Sequence, residues 1–465
     1  MKKKSIKVWP TLTFVLFICC TALVSAQQKP NMVFILADDC SYWDLGTYGS
    51  KDAITPNIDR LAGEGMKFTK CYQAAPMCSP TRHNLYTGLY PVKTGAYPNH
   101  TMANEGTKSI VQYLKPLGYR VALAGKTHIS PKEVFPFEYL GGVNNGDFSE
   151  VDEFIQDASS GNQPFCLFVC SKEPHTPWDK GNPGLFPPDK LTLPPFFVDT
   201  PDTRENFSNY LAEVNYLDGQ VGEVMKLLDD KGLTENTLVI FSSEQGNSFP
   251  FAKWTCYDVG VHSAFITKWP GKIQPGVVSD ALIEYSDVVP TFVEIAGGQP
   301  DPGLDGKSLM DLFEGNTKKH KEYAYSLQTT RGINMGSEYY GIRSVVSAQY
   351  RYILNLTPEV PFKNLITEKE TWFESWRVEA KSDEAAARLV ENYQYRPGAE
   401  LYDLEKDPYN MENLAANPAY KSIVDEMHAK LTDWMKACGD KGQQTEMEAK
   451  LHMPKWIKKE KLKDN

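Results

Sequence analysis

Four short apolar runs, each closed by a cluster of polar residues, constrain this chain more than anything else in it. Residues 32–36, 120–124, 164–170 and 237–241 are mainly apolar. A continuous run of that length suits a strand covered on both faces, the condition of a parallel sheet between helix layers. The polar clusters then fall at the carboxyl ends of the strands, where open α/β sheets bind ligands. Helix signals alternate with the runs. Thr55-Pro56 opens one helix, residues 108–116 form a second ending at Gly118, and residues 203–231 form the clearest. In the last, Phe207, Tyr210, Leu211, Val214, Leu217, Val221, Val224, Met225 and Leu228 recur at helical spacing before Gly232. The recurrence of strand, loop and helix through residue 315 predicts an α/β sandwich with a mainly parallel central sheet. Strand-like segments at 323–327, 341–346, 350–355 and 400–403, with a helix near 418–438, predict a small C-terminal α+β subdomain. The expected boundaries are 27–318 and 319–465, joined by a charged linker at 318–322.

With 465 residues, 41% of them hydrophobic and 23% charged, this is the composition of a globular protein. A net charge of −10 argues against a general nucleic-acid binder, so an anionic substrate would need a local basic pocket. Met1-Lys2-Lys3-Lys4, an apolar run over 8–24 and Val24-Ser25-Ala26 have the layout of a secretory signal, residues 1–26, cleaved after Ala26. The run is short for a retained membrane span, and no other segment reads as one. Export to a periplasm or the exterior is expected, or a lysosome-like compartment in a eukaryote. The nine cysteines contain no Cys-x-x-Cys pair, so zinc is not expected. Cys166 and Cys170 lie on one predicted strand, roughly 13 Å apart, too far for a mutual disulfide.

The polar clusters carry the chemistry. Asp38 and Asp39 end the first strand, and adjacent carboxylates repel unless a cation holds them or water separates them. Oxygen ligands would suit Ca²⁺ or Mg²⁺. Gly125-Lys126-Thr127-His128 follows the second strand and lacks the upstream glycine of a phosphate-binding loop. Pro174-His175-Thr176-Pro177 follows the third, and Glu244-Gln245-Gly246-Asn247 the fourth. A further stretch, Met77 to Gly88, reads MCSPTRHNLYTG. Its Pro80 favours a helix start, giving a helix over 81–87 with Cys78 just ahead of its N-terminus and Arg82 one turn on, facing back.

The stretch CSPTRHNLYTG resembles the signature of the type I sulfatases, and the strand ending in Asp38-Asp39, the Thr55-to-Ala62 segment and the Lys126, His128 and His175 loops resemble that family too. Similarity to its N-sulfoglucosamine sulfohydrolase-like members extends through Glu133–Phe137, Phe249-Pro250, Gly341–Ser344, Arg351–Asn355, Tyr393–Arg396 and Glu400–Asp403. The resemblance implies an alkaline-phosphatase-like sandwich and an exported hydrolase acting on sulfated carbohydrates. It implies that a formylglycine-generating enzyme oxidises Cys78 to formylglycine, whose hydrate attacks sulfur. Arg82 would orient that hydrate, His175 would protonate the leaving group and His128 would take the later proton. Lys126, Lys253 and His175 would bind sulfate; Asp38, Asp39, residue 78, Glu244 and Gln245 would hold Ca²⁺. Glu244-Gln245 departs from the family's usual Asp-Asn or Asp-His pair by a methylene, and His262 stands where an arginine is frequent. N-sulfoglucosamine is the first substrate expected, and a 6-O-, 4-O- or 3-O-sulfated hexosamine or galactose the alternative. Two other readings are a phosphate-ester hydrolase of the alkaline-phosphatase type and a glycan-binding protein that leaves Cys78 unmodified. Phosphatases of that type use several histidines on two zinc ions; this chain has eight histidines and no evident second cluster.

Overall fold

The computed structural model describes residue 5, residues 29–333 and residues 336–453. Apart from residue 5, the signal read at 1–26 lies outside the described residues, as does the tail read at 455–465. Nine strands form one sheet: β1 (Asn31–Ala37), β2 (Met66–Tyr72), β3 (Arg120–Gly125), β4 (Glu138–Leu140), β5 (Phe165–Cys170), β6 (Thr237–Ser243), β7 (His262–Lys268), β8 (Val277–Ser279) and β9 (Ile283–Glu284). Their order is β4-β3-β5-β1-β6-β7-β2-β8, with β9 also on β2. Neighbours run parallel except β7, which is antiparallel to both β6 and β2. The four apolar runs are thus the adjacent central strands β3, β5, β1 and β6, as the sequence predicts.

Their register sets the site. Leu36 pairs with Cys170, Gly125 with Cys170, and Ala37 with Ser243. Four parallel strands therefore end at one level, and the next residues emerge along one edge. The ladder is carried just past the strands by Glu244 N–H to Ala37 O at 3.0 Å, Lys126 N–H to Cys170 O at 2.9 Å and Asp38 N–H to Glu173 O at 3.0 Å.

Both sheet faces are buried, which is why the runs show no polar alternation. Val33, Ile35, Val169 and Phe241 face a core shared with Tyr210, Leu211, Val214 and Leu217 of the helix Pro201–Asp230. Phe34, Leu36, Phe168 and Ile240 face a second core with Leu85, Tyr86, Val289 and Phe292. A second, antiparallel sheet runs β10 (Ala324–Thr329), β11 (Gly341–Val346), β12 (Tyr350–Asn355) and β13 (Ala399–Asp403). The helix Lys421–Cys438 covers it with Met427, Leu431 and Trp434. Leu327 N–H donates to Ala74 O at 2.9 Å, so the small sheet continues the first body through a backbone bond.

Between β12 and β13 lie helices Leu365–Glu368, Thr371–Glu379 and Glu384–Gln394, which the sequence reading left unassigned. The middle one packs on the long helix, where Trp376 Nε1–H donates to Thr203 Oγ1 at 2.8 Å, and the other two pack on the middle one. Trp372 stacks on Trp178 at 5.2 Å and lies 5.0 Å from Phe249. Those two rings sit on the loops bearing His175 and Lys253. Trp372→Ala is expected to cost about 3–5 kcal/mol through the cavity it leaves. The fall should appear as a lower thermal unfolding midpoint, with reduced turnover because both loops lose support.

Candidate active site

The segment carrying Cys78 is a helix, Cys78–Thr87, closed by Gly88 in the left-handed region at φ 68°. It begins at Cys78 itself, earlier than predicted. Pro80 is tolerated inside because N–H groups of a first turn have no helical partner to lose. All ten of its residues are buried. Lys126 is placed by Gly125, whose φ is 83° and where a Cβ would lie 2.2 Å from Cys170 O. Any side chain there would break the turn that leads out of β3.

At the sheet edge the predicted residues come together. Cys78 Sγ lies 3.3 Å from Asp38 Oδ1 and 4.0 Å from Asp39 Oδ1. Gln245 Nε2–H is directed at Asp39 Oδ1 at 2.5 Å and Cys78 Sγ at 2.9 Å. Lys126 pairs with Asp38, Lys253 with Asp39 at 2.7 Å and Arg82 with Glu244. His175 Nδ1–H donates to Thr176 O at 2.7 Å, which turns Nε2 toward Asp39 Oδ2, 3.6 Å away. One ligand atom each of Asp38, Cys78 and His175 lies within 4.8 Å of the others.

Two expectations need correction. Arg82 does not turn back to Cys78; it pairs with Glu244 and donates to Lys126 O at 2.6 Å. A wholly buried carboxylate with no cation would be far costlier than an unoriented residue 78. The side chains of Asp38, Asp39, Glu244 and Gln245 do meet, Gln245 Nε2 lying 2.5 Å from Asp39 Oδ1 and 3.4 Å from Glu244 Oε2, but not all four present an oxygen to the meeting point. Glu244 Oε1 is taken by Arg82, and Gln245 presents its nitrogen to Asp39, because an amide beside a carboxylate donates to it. Sequence reasoning missed Ser248, whose hydroxyl donates to Asp39 Oδ2 at 3.2 Å, and His100, whose Nδ1 is 2.8 Å from His128 Nε2. Ser248 follows the Glu244 loop closely, and that proximity was the available signal. His262 pairs with Asp258 at 2.8 Å and stacks on Tyr42, outside this cluster.

The electrostatics disfavour a thiolate at position 78. Burial and then Asp38 push the Cys78 thiol up, against the pull of Lys126 and Lys253, so the unmodified side chain stays protonated and a poor nucleophile. Burial alone would raise Asp38, but Lys126, His175 and Arg82 hold it well below the usual carboxylate range. Burial pushes Glu244 well up although Arg82 opposes it, and its carboxyl reaches Asp38. Two touching carboxyls need a proton or a cation between them. Burial lowers His128 to about 2, with Lys126, His100 and Arg82 adding to the effect, so the ring is neutral.

These residues fit a hard divalent cation. Asp38, Asp39 and Glu244 are buried, and the buried Gln245 Oε1 makes no hydrogen bond among the described residues. Rotating that amide would present an oxygen on the side where the nitrogen now lies. The formal charges of Asp38, Asp39 and Glu244 (−3) balance those of Lys126, Lys253 and Arg82 (+3). A divalent ion would leave the cluster at +2 and attractive to an anion.

Residues 30–150 and 148–298 match the family described as Sulfatase, and residues 246–362 match the one described as N-sulphoglucosamine sulphohydrolase, C-terminal. The chain is 36% identical to an ulvan-active sulfatase of Formosa agariphila over 425 residues, covering 89% of this chain and 81% of that protein. It is 25% identical to the N-sulphoglucosamine sulphohydrolase of Homo sapiens, covering 90% and 92%. Among solved structures, BT4656 in complex with its substrate D-glucosamine-2-N,6-O-disulfate superposes with a TM-score of 0.69 at 18% identity, covering 89% and 99%. That likeness supports the fold.

Proposed function

Because the chain belongs to the sulfatase family, whose members hydrolyse sulfuric esters, we propose that its substrate is a sulfated saccharide and that residue 78 is the nucleophile. The observation that carries this reading is the meeting of three buried carboxylates, Cys78 and three cations at one sheet edge. Oxidised to formylglycine by a maturation enzyme, residue 78 supplies a hydrated aldehyde in place of the unreactive thiol. Asp38, Asp39, Glu244, Gln245 and residue 78 would hold Ca²⁺, which would supply positive charge where the sulfate oxygens bind. Lys126 and Lys253 bind those oxygens as they gain charge, the kind of stabilisation that lowers a barrier most. Arg82 pairs with Glu244 and holds its carboxyl in place. His175, held by its Nδ1–H, presents Nε2 to protonate the leaving oxygen or nitrogen. His128, neutral, takes the proton released afterwards.

N-sulfoglucosamine is our first substrate, supported by the match over residues 246–362. The 36% identity to an ulvan-active sulfatase supports a second reading, an O-sulfated hexosamine or galactose. The family match favours either over a phosphate ester. We read the chain as exported through residues 1–26, to a periplasm or the exterior. Among the described residues no helix is long and apolar enough to cross a membrane.

The test is kcat/KM on N-sulfoglucosamine beside 6-O-, 4-O- and 3-O-sulfated hexosamines and galactoses, with formylglycine verified at position 78 by peptide mass. Turnover of an O-sulfated sugar alone would remove the N-sulfatase reading and keep the saccharide one. No turnover of any would end both. Chelation is expected to remove activity, and added Ca²⁺ to restore it together with a higher unfolding midpoint. Full activity in excess chelator would sink the metal assignment.

A further inference from the structure

We propose that His100 is a positioning residue for His128, accepting a hydrogen bond from His128 Nε2–H and so keeping the lone pair of that ring on Nδ1. The inference rests on the reading of His128 as the group that takes a proton from residue 78. Two facing ring nitrogens 2.8 Å apart must be one donor and one acceptor. The rings lie 4.7 Å apart at 43°, a geometry that admits one bond through their nitrogens. The donor is identified by the other end of the ring. His128 Nδ1 is buried and makes no hydrogen bond among the described residues. Lys126 and Arg82 bear on this ring electrostatically. Beside two cations a buried lone pair is favoured over a buried N–H without an acceptor.

The chain is arranged to present this pair. His100 and His128 both hold left-handed backbone, at φ 56° and 50°, which a non-glycine residue adopts at a cost and which gathers at functional sites. The loop bearing His100 is fastened on three sides. Tyr97 hydroxyl donates to Thr445 O at 2.8 Å, Thr101 hydroxyl to His452 O at 2.8 Å, and Asn99 N–H to Arg331 O at 3.2 Å. Ala103 N–H donates to Ser130 O at 2.8 Å, so the two histidine loops are also tied to each other. His100 is exposed and His128 is half-buried, which places the acceptor on the solvent side of the pair.

The role follows. As residue 78 gives up a hydroxyl proton, its O–H bond breaks, an Nδ1–H bond forms and the imidazole becomes a cation. The bond from Nε2–H to His100 then becomes charge-assisted, roughly doubling in strength at the moment the charge appears. The added proton leaves Nδ1 for water, and the ring is back in its starting tautomer.

The experiment is two-bond ¹H–¹⁵N correlation of the holoenzyme labelled with ¹⁵N-histidine, with the His128 ring identified by its loss in His128→Gln. The wild type is expected to show His128 protonated at Nε2. His100→Ala should give a mixture of tautomers, and His100→Asn should restore the single form, because its Oδ1 can stand in for Nδ1. In parallel, kcat should fall about ten- to a hundred-fold in His100→Ala, the worth of one hydrogen bond to a charged group, with KM little changed. His100→Asn should recover most of the loss, which a merely structural gap would not allow. A wild-type ring protonated at Nδ1 would overturn the proposal. So would a rise in KM alone, which would make His100 a sugar contact, or a folded His100→Asn that recovers neither signal. The ring spectra need no turnover: a wild type inactive on every sulfated sugar would defeat the sulfatase reading, and the tautomer would still decide the pairing.

Discussion

Cys78→Ala is expected to reduce kcat by on the order of a thousand-fold or more, the scale on which removal of a covalent nucleophile is felt. The unfolding midpoint should barely move, since a buried thiol replaced by a methyl leaves the helix Cys78–Thr87 intact. Cys78→Ser should be equally inactive if the maturation system accepts cysteine alone. The strength of this expectation comes from the surroundings. Burial and Asp38 keep the thiol protonated, so an unmodified Cys78 has no nucleophilic chemistry to lose. Full turnover in Cys78→Ala would remove residue 78 from the mechanism.

Arg82→Met should be the most destabilising single change in the site. Arg82 and Glu244 pair with both side chains fully shielded from solvent. Removing one partner of a buried ion pair strands the other, at a cost of about 3–5 kcal/mol. Turnover should fall with it. The double variant Arg82→Met/Glu244→Gln separates the two effects. Neutralising the stranded acid should return much of the stability, whereas activity should stay low because Glu244 is also a proposed metal ligand. An Arg82→Met protein as stable as the wild type would mean that Glu244 finds another cation or holds a proton at no cost.

The central sheet could be read from the chain because burial on both faces writes a strand as an unbroken apolar run. β1, β3, β5 and β6 are of that kind. β2 reads MKFTKCY, an alternation that gives a weaker signal, and β7 begins with His262 and Ser263; both went unassigned. The helices between β12 and β13 were hidden for another reason. In the middle one the buried apolar residues, Trp372, Phe373 and Trp376, are few, and Trp376 answers to a partner helix roughly 170 positions away. The site divides the same way. Strand-end residues were visible because topology brings strand ends together, and the Cys78 stretch because of its motif. What the sequence could not disclose is how the charges pair, that Arg82 serves Glu244 and that His128 leans on His100. Those facts depend on which side chain finds which across the edge, and no spacing encodes them.

One feature of the rim bears on the order in which the molecule is made. The loop bearing His100 rests on the carbonyls of Thr445 and His452, 348 and 351 positions beyond the residues they bind. A chain growing from its N-terminus has synthesised every strand of both sheets before those two anchors exist. The rim is therefore the last part of the site to be fastened. A protein shortened by a few dozen residues would still hold the whole sheet edge, yet with a loose wall beside it. Cys78 itself is 3% exposed once folding is complete. Any catalyst that must reach its sulfur has to do so before the last turns of the chain close over the pocket.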